Sequence, residues 1–197
     1  MKSKIDSIYI KHEENRVYQG DILRDFEYPE WVIVENKKIK INKRKIPYLI
    51  VLTQDCDLER DYEDRHENNN HDKFIHSVLV CPAYHSEKLK EGTHLNELKL
   101  KMEKFDEKRW HWIKINQNLR YHFLEKNEIL QIPDLVIDFK HYYTIPREIL
   151  YRVLKEHYIG TINELFREAL SQRFAYYLSR IGLPKISQDI EHKTETT

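Results

Sequence analysis

The stretch PYLIVLTQDCDLERD, residues 47–61, decides how the chain is read. Tyr48 to Leu52 is an unbroken apolar run with β-branched members, the pattern of a central strand buried on both faces. It stops abruptly at Gln54-Asp55-Cys56-Asp57, where two carboxylates flank a thiol. Taking a carboxylate out of water at the mouth of a core strand is costly unless a cation meets it. The run therefore predicts the middle of a sheet, and its end predicts a polar site.

Upstream, residues 16–23 (RVYQGDIL) read as a short strand with a bend or bulge at Gly20-Asp21. Residues 31–34 (WVIV), followed by Ile39 and Ile41 alternating with lysine, read as a half-exposed hairpin arm, and residues 42–45 (NKRK) as a basic turn. Downstream, residues 59–73 are almost wholly polar and read as a surface loop. Residues 77–82 (SVLVCP) resume the strand pattern, which Pro82 limits. Residues 87–108 read as a helical or irregular insertion. Trp110 and Trp112, then Tyr121 and Phe123, alternate with polar residues as on one sheet face, ahead of another buried strand at residues 135–139.

From Thr144 the pattern turns helical. Pro146 suits the first position of a helix reaching about Tyr158. For a last helix, Thr161 and Glu164 form a capping-box pattern, and Gly182 and Pro184 stand where a C-terminal stop belongs. Winding residues 162–181 at helical pitch gathers Ile162, Leu165, Phe166, Ala169, Leu170 and Tyr177 on one face, with Arg173 and Arg180 inside it.

The bulk composition narrows the class. The 197 residues suffice for one substantial core. Lys plus Arg and Asp plus Glu both number 33, so no global charge favours a purely electrostatic grip on nucleic acid. No apolar run approaches the roughly 18 residues of a membrane span, and residues 1–10 lack a signal-peptide core, which places the expectation in the cytoplasm. Two cysteines, Cys56 and Cys81, fit a reducing compartment.

A guanidinium on an apolar helix face needs a carboxylate or a phosphate. Asp55, Asp57 and Asp138 all end apolar strands and are the available carboxylates for Arg173 and Arg180. One reading is an ion-pair network pinning helix to sheet. The other is a ligand pocket in which Gln54, Cys56, Asp57, Arg173 and Arg180 meet a phosphate-bearing molecule. Cys56 and Cys81 with neighbouring histidines are weighed as a zinc site or a nucleophile, but no CxxC or HxxxH spacing frames one, and packing is the favoured role. No metal or cofactor is expected. The run KRWHWIKINQNLRYHF, residues 108–123, has the residue types to stack bases and hold phosphates, but its alternation as one sheet face packed into the core is the favoured reading. Nucleotide-binding glycine loops and the hydrolase elbow are absent from the sequence.

Three pieces in order, QGDIL, KRKIPYLIVLTQD and SVLVCPAY, resemble the PemK/MazF-like toxins over residues 16–85. The resemblance implies an SH3-like barrel and metal-independent cleavage of single-stranded RNA. It also implies RNA as a partner, together with an antitoxin or defence-system subunit in a toxin–antitoxin or phage-defence setting. That family uses an arginine at the start of the apolar strand and a threonine or serine ending the later one. Here Ile46 stands directly before Pro47 with Arg44 two positions further back, and Tyr84 occupies the threonine position. Arg44 would then stabilise the phosphorane-like charge, with Tyr84, or an Asp55/His85 pair, moving protons. The alternative is a non-catalytic module that binds a partner protein or small anionic ligand between barrel and helix.

The expected architecture is α+β. A small SH3-like β-barrel occupies residues 1–145 with an insertion at about 86–108, two helices pack on it over residues 146–184, and residues 185–197 form a flexible tail.

Overall fold

The computed structural model describes residues 7–13, 15–35, 38–67 and 71–180, with the backbone alone for Glu30 and Trp31. Its centre is the apolar run at residues 48–52, carried by strand β3 (Lys38–Val51), where Leu49, Ile50 and Val51 are fully buried. β3 pairs with β2 (Asp21–Glu35) on one side and with β4 (Ser77–His85) on the other. The remaining strands are β1 (Tyr9–Ile10), β5 (Tyr121–Leu124), β6 (Leu135–Asp138), β7 (Tyr143–Pro146) and β8 (Tyr158–Ile162). They form one curled antiparallel sheet, a half-barrel, in the order β1-β8-β2-β3-β4-β6-β5. The far edge of β4 is shared: β7 pairs with Ser77–Val80 and β6 with Ala83–His85.

Alternation along β3 splits the core. Tyr48 and Ile50 point toward Leu170, Phe174 and Tyr177 of α5 (Glu164–Leu178). Leu49 and Val51 point toward Leu58 of α1 (Asp55–Glu67) and Leu150 and Leu154 of α4 (Arg147–His157). Helices therefore cover both faces, which is why the strand reads as continuously apolar. Burying one such side chain contributes about 1.5–3 kcal/mol. A third cluster packs α2 (Ser86–Lys90) and α3 (Glu107–Lys114) on β5 and β6 through Leu89, Trp110, Ile113 and Phe123.

Several local expectations change. The loop expected at residues 59–73 is largely helical where it is described: α1 runs through Glu67, and a 3-10 turn spans His71–Lys73. The helix escapes notice because only Leu58, Asp61 and Asp64 are buried, so it has almost no apolar stripe. Trp110 and Trp112 lie on α3 rather than a strand, with Asp106 accepting from the Arg109 N–H as its cap. Residues 42–45 are not a turn but part of β3. Thr161 belongs to β8 and bonds buried Asp21, so α5 starts two residues later than the capping box suggested, with Asn163 as its N-cap. Gly182, Pro184 and the tail lie outside the described residues.

Gly20 makes the predicted bend with φ 86°, and a Cβ there would meet the Ile162 carbonyl oxygen at 3.2 Å. Where Arg24↔Tyr48 gives way to Phe26↔Ile46, Asp25 adopts φ 57°, and Leu23 and Phe26 reach the same core cluster although three residues apart. Beyond this kink β2 and β3 leave the sheet as a two-stranded arm. Among the described residues no helix is long and apolar enough to cross a membrane.

Candidate functional site

A cleft of ≈ 520 Å³ opens at the foot of the arm. β3 supplies Arg44, Lys45, Ile46 and Pro47, and the end of β4 supplies Tyr84 and His85. The register explains the meeting: Tyr48 pairs with Ala83, so the residues before Tyr48 and after Ala83 share one end of the sheet. Lys88 of α2 and the segment from Thr93 to Leu98 close the other wall. The resemblance-derived residues Arg44 and Tyr84 thus line one cavity, with His85 beside them.

The wall is mixed in charge. Arg44 lies with its guanidinium carbon 5.8 Å from the Tyr143 ring centre, and the Lys45 ammonium pairs with Asp25 at 3.1 Å. Burial, reinforced by the negative charge of Asp138, pushes the Tyr84 hydroxyl pKa up, so Tyr84 remains a hydrogen-bond donor at neutral pH. Burial and then the Lys88 charge lower the pKa of His85, which favours the neutral imidazole. His94 packs edge-on against Tyr84, ring centres 5.0 Å apart, and burial pushes its pKa down to about 4. Neither His94 ring nitrogen has a hydrogen-bond partner among the described residues.

Behind this wall, Asp138 is fully buried and accepts from Arg120 at 2.7 and 2.6 Å, with His141 at 2.9 Å. Burial alone would raise its carboxyl pKa, but the hydrogen bonds from Arg120 and His141 outweigh that and hold it at about 2. Asp138 is thus spoken for by residues outside the last helix.

The acidic corner after β3 is a separate place. Val51 pairs with Val80, and five steps of about 3.3 Å along β4 separate Val80 from His85. Asp55 therefore does not join His85 in a proton relay. Its carboxylate is held by Arg16 at 3.4 Å, by Arg167 at 3.4 Å and by the Gln19 N–H at 3.1 Å. A helix guanidinium does neutralise the corner, but it comes from Arg167, not from Arg173 or Arg180. Gln54, Cys56 and Asp57 are exposed at the start of α1, and the hydrogen bonds of Arg173 and Arg180 go to other residues.

Arg173 solves its own burial differently. It donates to the carbonyls of Asn116, Asn118 (2.6 Å) and Tyr121 (3.0 Å) and to His122 Nδ1 (3.0 Å). Backbone oxygens replace the carboxylate the sequence seemed to require. Arg180 is exposed, donates to the Tyr177 carbonyl at 2.9 Å and lies over that ring at 3.9 Å. Cys81 is fully buried, with its thiol donating to the Asp138 carbonyl at 3.1 Å and its pKa raised by burial, whereas Cys56 is exposed. Among the described residues no group of three His, Cys, Asp or Glu side chains is placed to hold a metal ion.

Lys45, Lys88 and His94 are cleft residues that sequence reasoning missed. Lysines are too common here to stand out, and only the fold brings them to the foot of the arm. A scan of protein-family models finds no match to this chain, and neither does a search of curated proteins.

Proposed function

We propose that this chain binds and cleaves single-stranded RNA in the cleft at the foot of the arm, as a PemK/MazF-like protein with an SH3-like barrel serving a toxin–antitoxin or phage-defence system. The observation that supports this is the convergence of Arg44, Tyr84 and His85 on one cavity, from two strands far apart in sequence. Arg44, with Lys45 and Lys88, supplies the charge that holds a phosphodiester and stabilises its pentacoordinate state. Tyr84 donates a hydrogen bond to a phosphate oxygen. Neutral His85 takes the proton from the ribose 2′-hydroxyl as that oxygen attacks phosphorus, the P–O5′ bond breaks, and the 5′-oxygen takes a proton from water while His85 returns its own to solvent, giving a 2′,3′-cyclic phosphate.

The test is incubation of end-labelled single-stranded RNA with the protein, with and without chelator. Cleavage to cyclic-phosphate ends in both conditions is expected, with Arg44→Ala lowering the rate about 10²–10³-fold, as for loss of one transition-state donor. Because the depressed His85 pKa leaves the base unprotonated further into acid, activity should persist below the pH at which an ordinary histidine limits it. Neither binding nor cleavage at any ionic strength would overturn the reading.

A further inference from the structure

One wall of the cleft, Thr93 to Leu98, lies outside the stretch that carries the family resemblance, so its role is read from this fold alone. Two left-handed positions set its course, Gly92 at φ 73° and Lys99 at φ 57°. A Cβ on Gly92 would meet the Met102 carbonyl oxygen at 2.6 Å, so only glycine lets the chain turn there. The Thr93 N–H then donates to the Lys88 carbonyl at 2.9 Å, and fully buried Leu95 anchors the segment in the cluster formed with Tyr84 and Leu89. Between these fixed points stands His94.

His94 is 8% exposed, and neither ring nitrogen has a partner among the described residues. Buried polar atoms are nearly always hydrogen-bonded, because an unmade bond leaves the desolvation cost standing. What His94 does have is an edge-on contact with Tyr84, the residue that donates to phosphate in the reading above. Burial keeps the ring uncharged, so it carries one N–H donor and one bare nitrogen acceptor. A group that meets either of them enters through the cleft that His94 lines.

The rest of the lining says what that group is. Arg44, Lys45 and Lys88 bring positive charge, while Ile46, Pro47, Leu95 and Leu98 bring apolar surface. An unpaired nucleotide has matching parts: a phosphate, a flat base, and uncharged donors and acceptors on the edge of that base. The cations answer the phosphate, the aliphatic side chains the base, and an uncharged ring the uncharged edge. At ≈ 520 Å³ the cleft is of the size that holds one small molecule, so a base enters it singly and not as part of a duplex.

We propose, resting on the RNA reading above, that His94 determines which base the cleft accepts beside the scissile phosphate, through one hydrogen bond to the keto or amino group on the edge of an unpaired base. With the N–H toward the cleft, the ring donates to O6 of guanine or O4 of uracil. With the bare nitrogen toward it, the ring accepts from the amino group of adenine or cytosine. The preference therefore divides keto bases from amino bases, not purines from pyrimidines.

Cleavage of a single-stranded RNA pool of random sequence, with the new ends sequenced, tests this. At one position beside the cut the wild type should favour one of the two classes by about tenfold or more, since the wrong class leaves a buried polar atom unpaired. His94→Phe and His94→Leu both remove the nitrogens, and in each the ratio should fall to about one. The ratio compares bases within one reaction, so a change in overall rate cancels. At least one of the two variants should melt no lower than the wild type, because two unpaired buried polar atoms are gone. Arg44→Ala, which acts at the phosphate, should slow cutting at every base alike and leave the ratio unchanged. If both His94 variants melt lower, the nitrogens serve the fold. If the split is purine against pyrimidine, or survives loss of the nitrogens, the base is chosen elsewhere. Each of these overturns the proposal while RNA cleavage stands, whereas no cutting by the wild type removes the RNA reading and this inference with it.

Discussion

At the scale of single residues, the molecule shows how a half-buried cation is satisfied without a carboxylate. Arg173 was legible as an arginine on an apolar helix face, but the group that meets it was not, because backbone carbonyls carry no sequence signature. Its contact with His122 has a consequence for pH. Nδ1 of His122 accepts from the guanidinium, so the ring must be neutral, and burial first and Arg173 second push its pKa down to about 3. The unfolded chain protonates this ring near 6.5 while the folded one does not. The contribution to stability is thus complete above pH 6.5 and is lost as pH falls from there toward 3, at up to about 1.4 kcal/mol per pH unit. Urea unfolding between pH 7 and 4.5 should show this slope, and His122→Gln, which keeps an acceptor but does not titrate, should make it shallower. Identical slopes for the two proteins would contradict the role given to His122.

At the scale of elements, α1 teaches the converse lesson. Its apolar residues are too few to announce a helix, yet Asp61 is fully buried and anchors it. That carboxylate accepts from Arg147 Nε of α4, from Arg65 Nε at 2.8 Å and from the Ile75 N–H at 2.9 Å. One side chain therefore joins α1, α4 and the segment entering β4. Asp61→Asn leaves two guanidinium groups with only the exposed Glu148 as counter-charge, and breaking a buried pair in this way costs about 3–5 kcal/mol. Denaturant unfolding should register a loss of that size, and a loss under about 1 kcal/mol would show the hub to be dispensable. The same element-level contrast explains what was legible: β3, β4 and β6 announce themselves because helices cover both their faces, whereas α1 and α3 are held mainly by polar anchors and single aromatics.

At the scale of the whole molecule, a net charge of zero conceals a division of labour. The cations near the Asp55 corner and the Asp61 hub are matched to carboxylates inside the fold, while Arg44, Lys88 and the neutral histidines collect at the foot of the arm. Arg44, Tyr84 and His85 are named from sequence only through the family resemblance of residues 16–85, and it is the register of β3 on β4 that brings them to one end of the sheet. The remainder of the cleft could not be named, since Lys88 and His94 reach it only through the turns after β4. The most direct test of this division is photo-crosslinking of 4-thiouridine-containing single-stranded RNA to the intact protein, with the adducts mapped to peptides. Adducts confined to residues 44–47 and 84–98 are the predicted result, and adducts at the α1–α4 surface or at the Asp55 corner would contradict it.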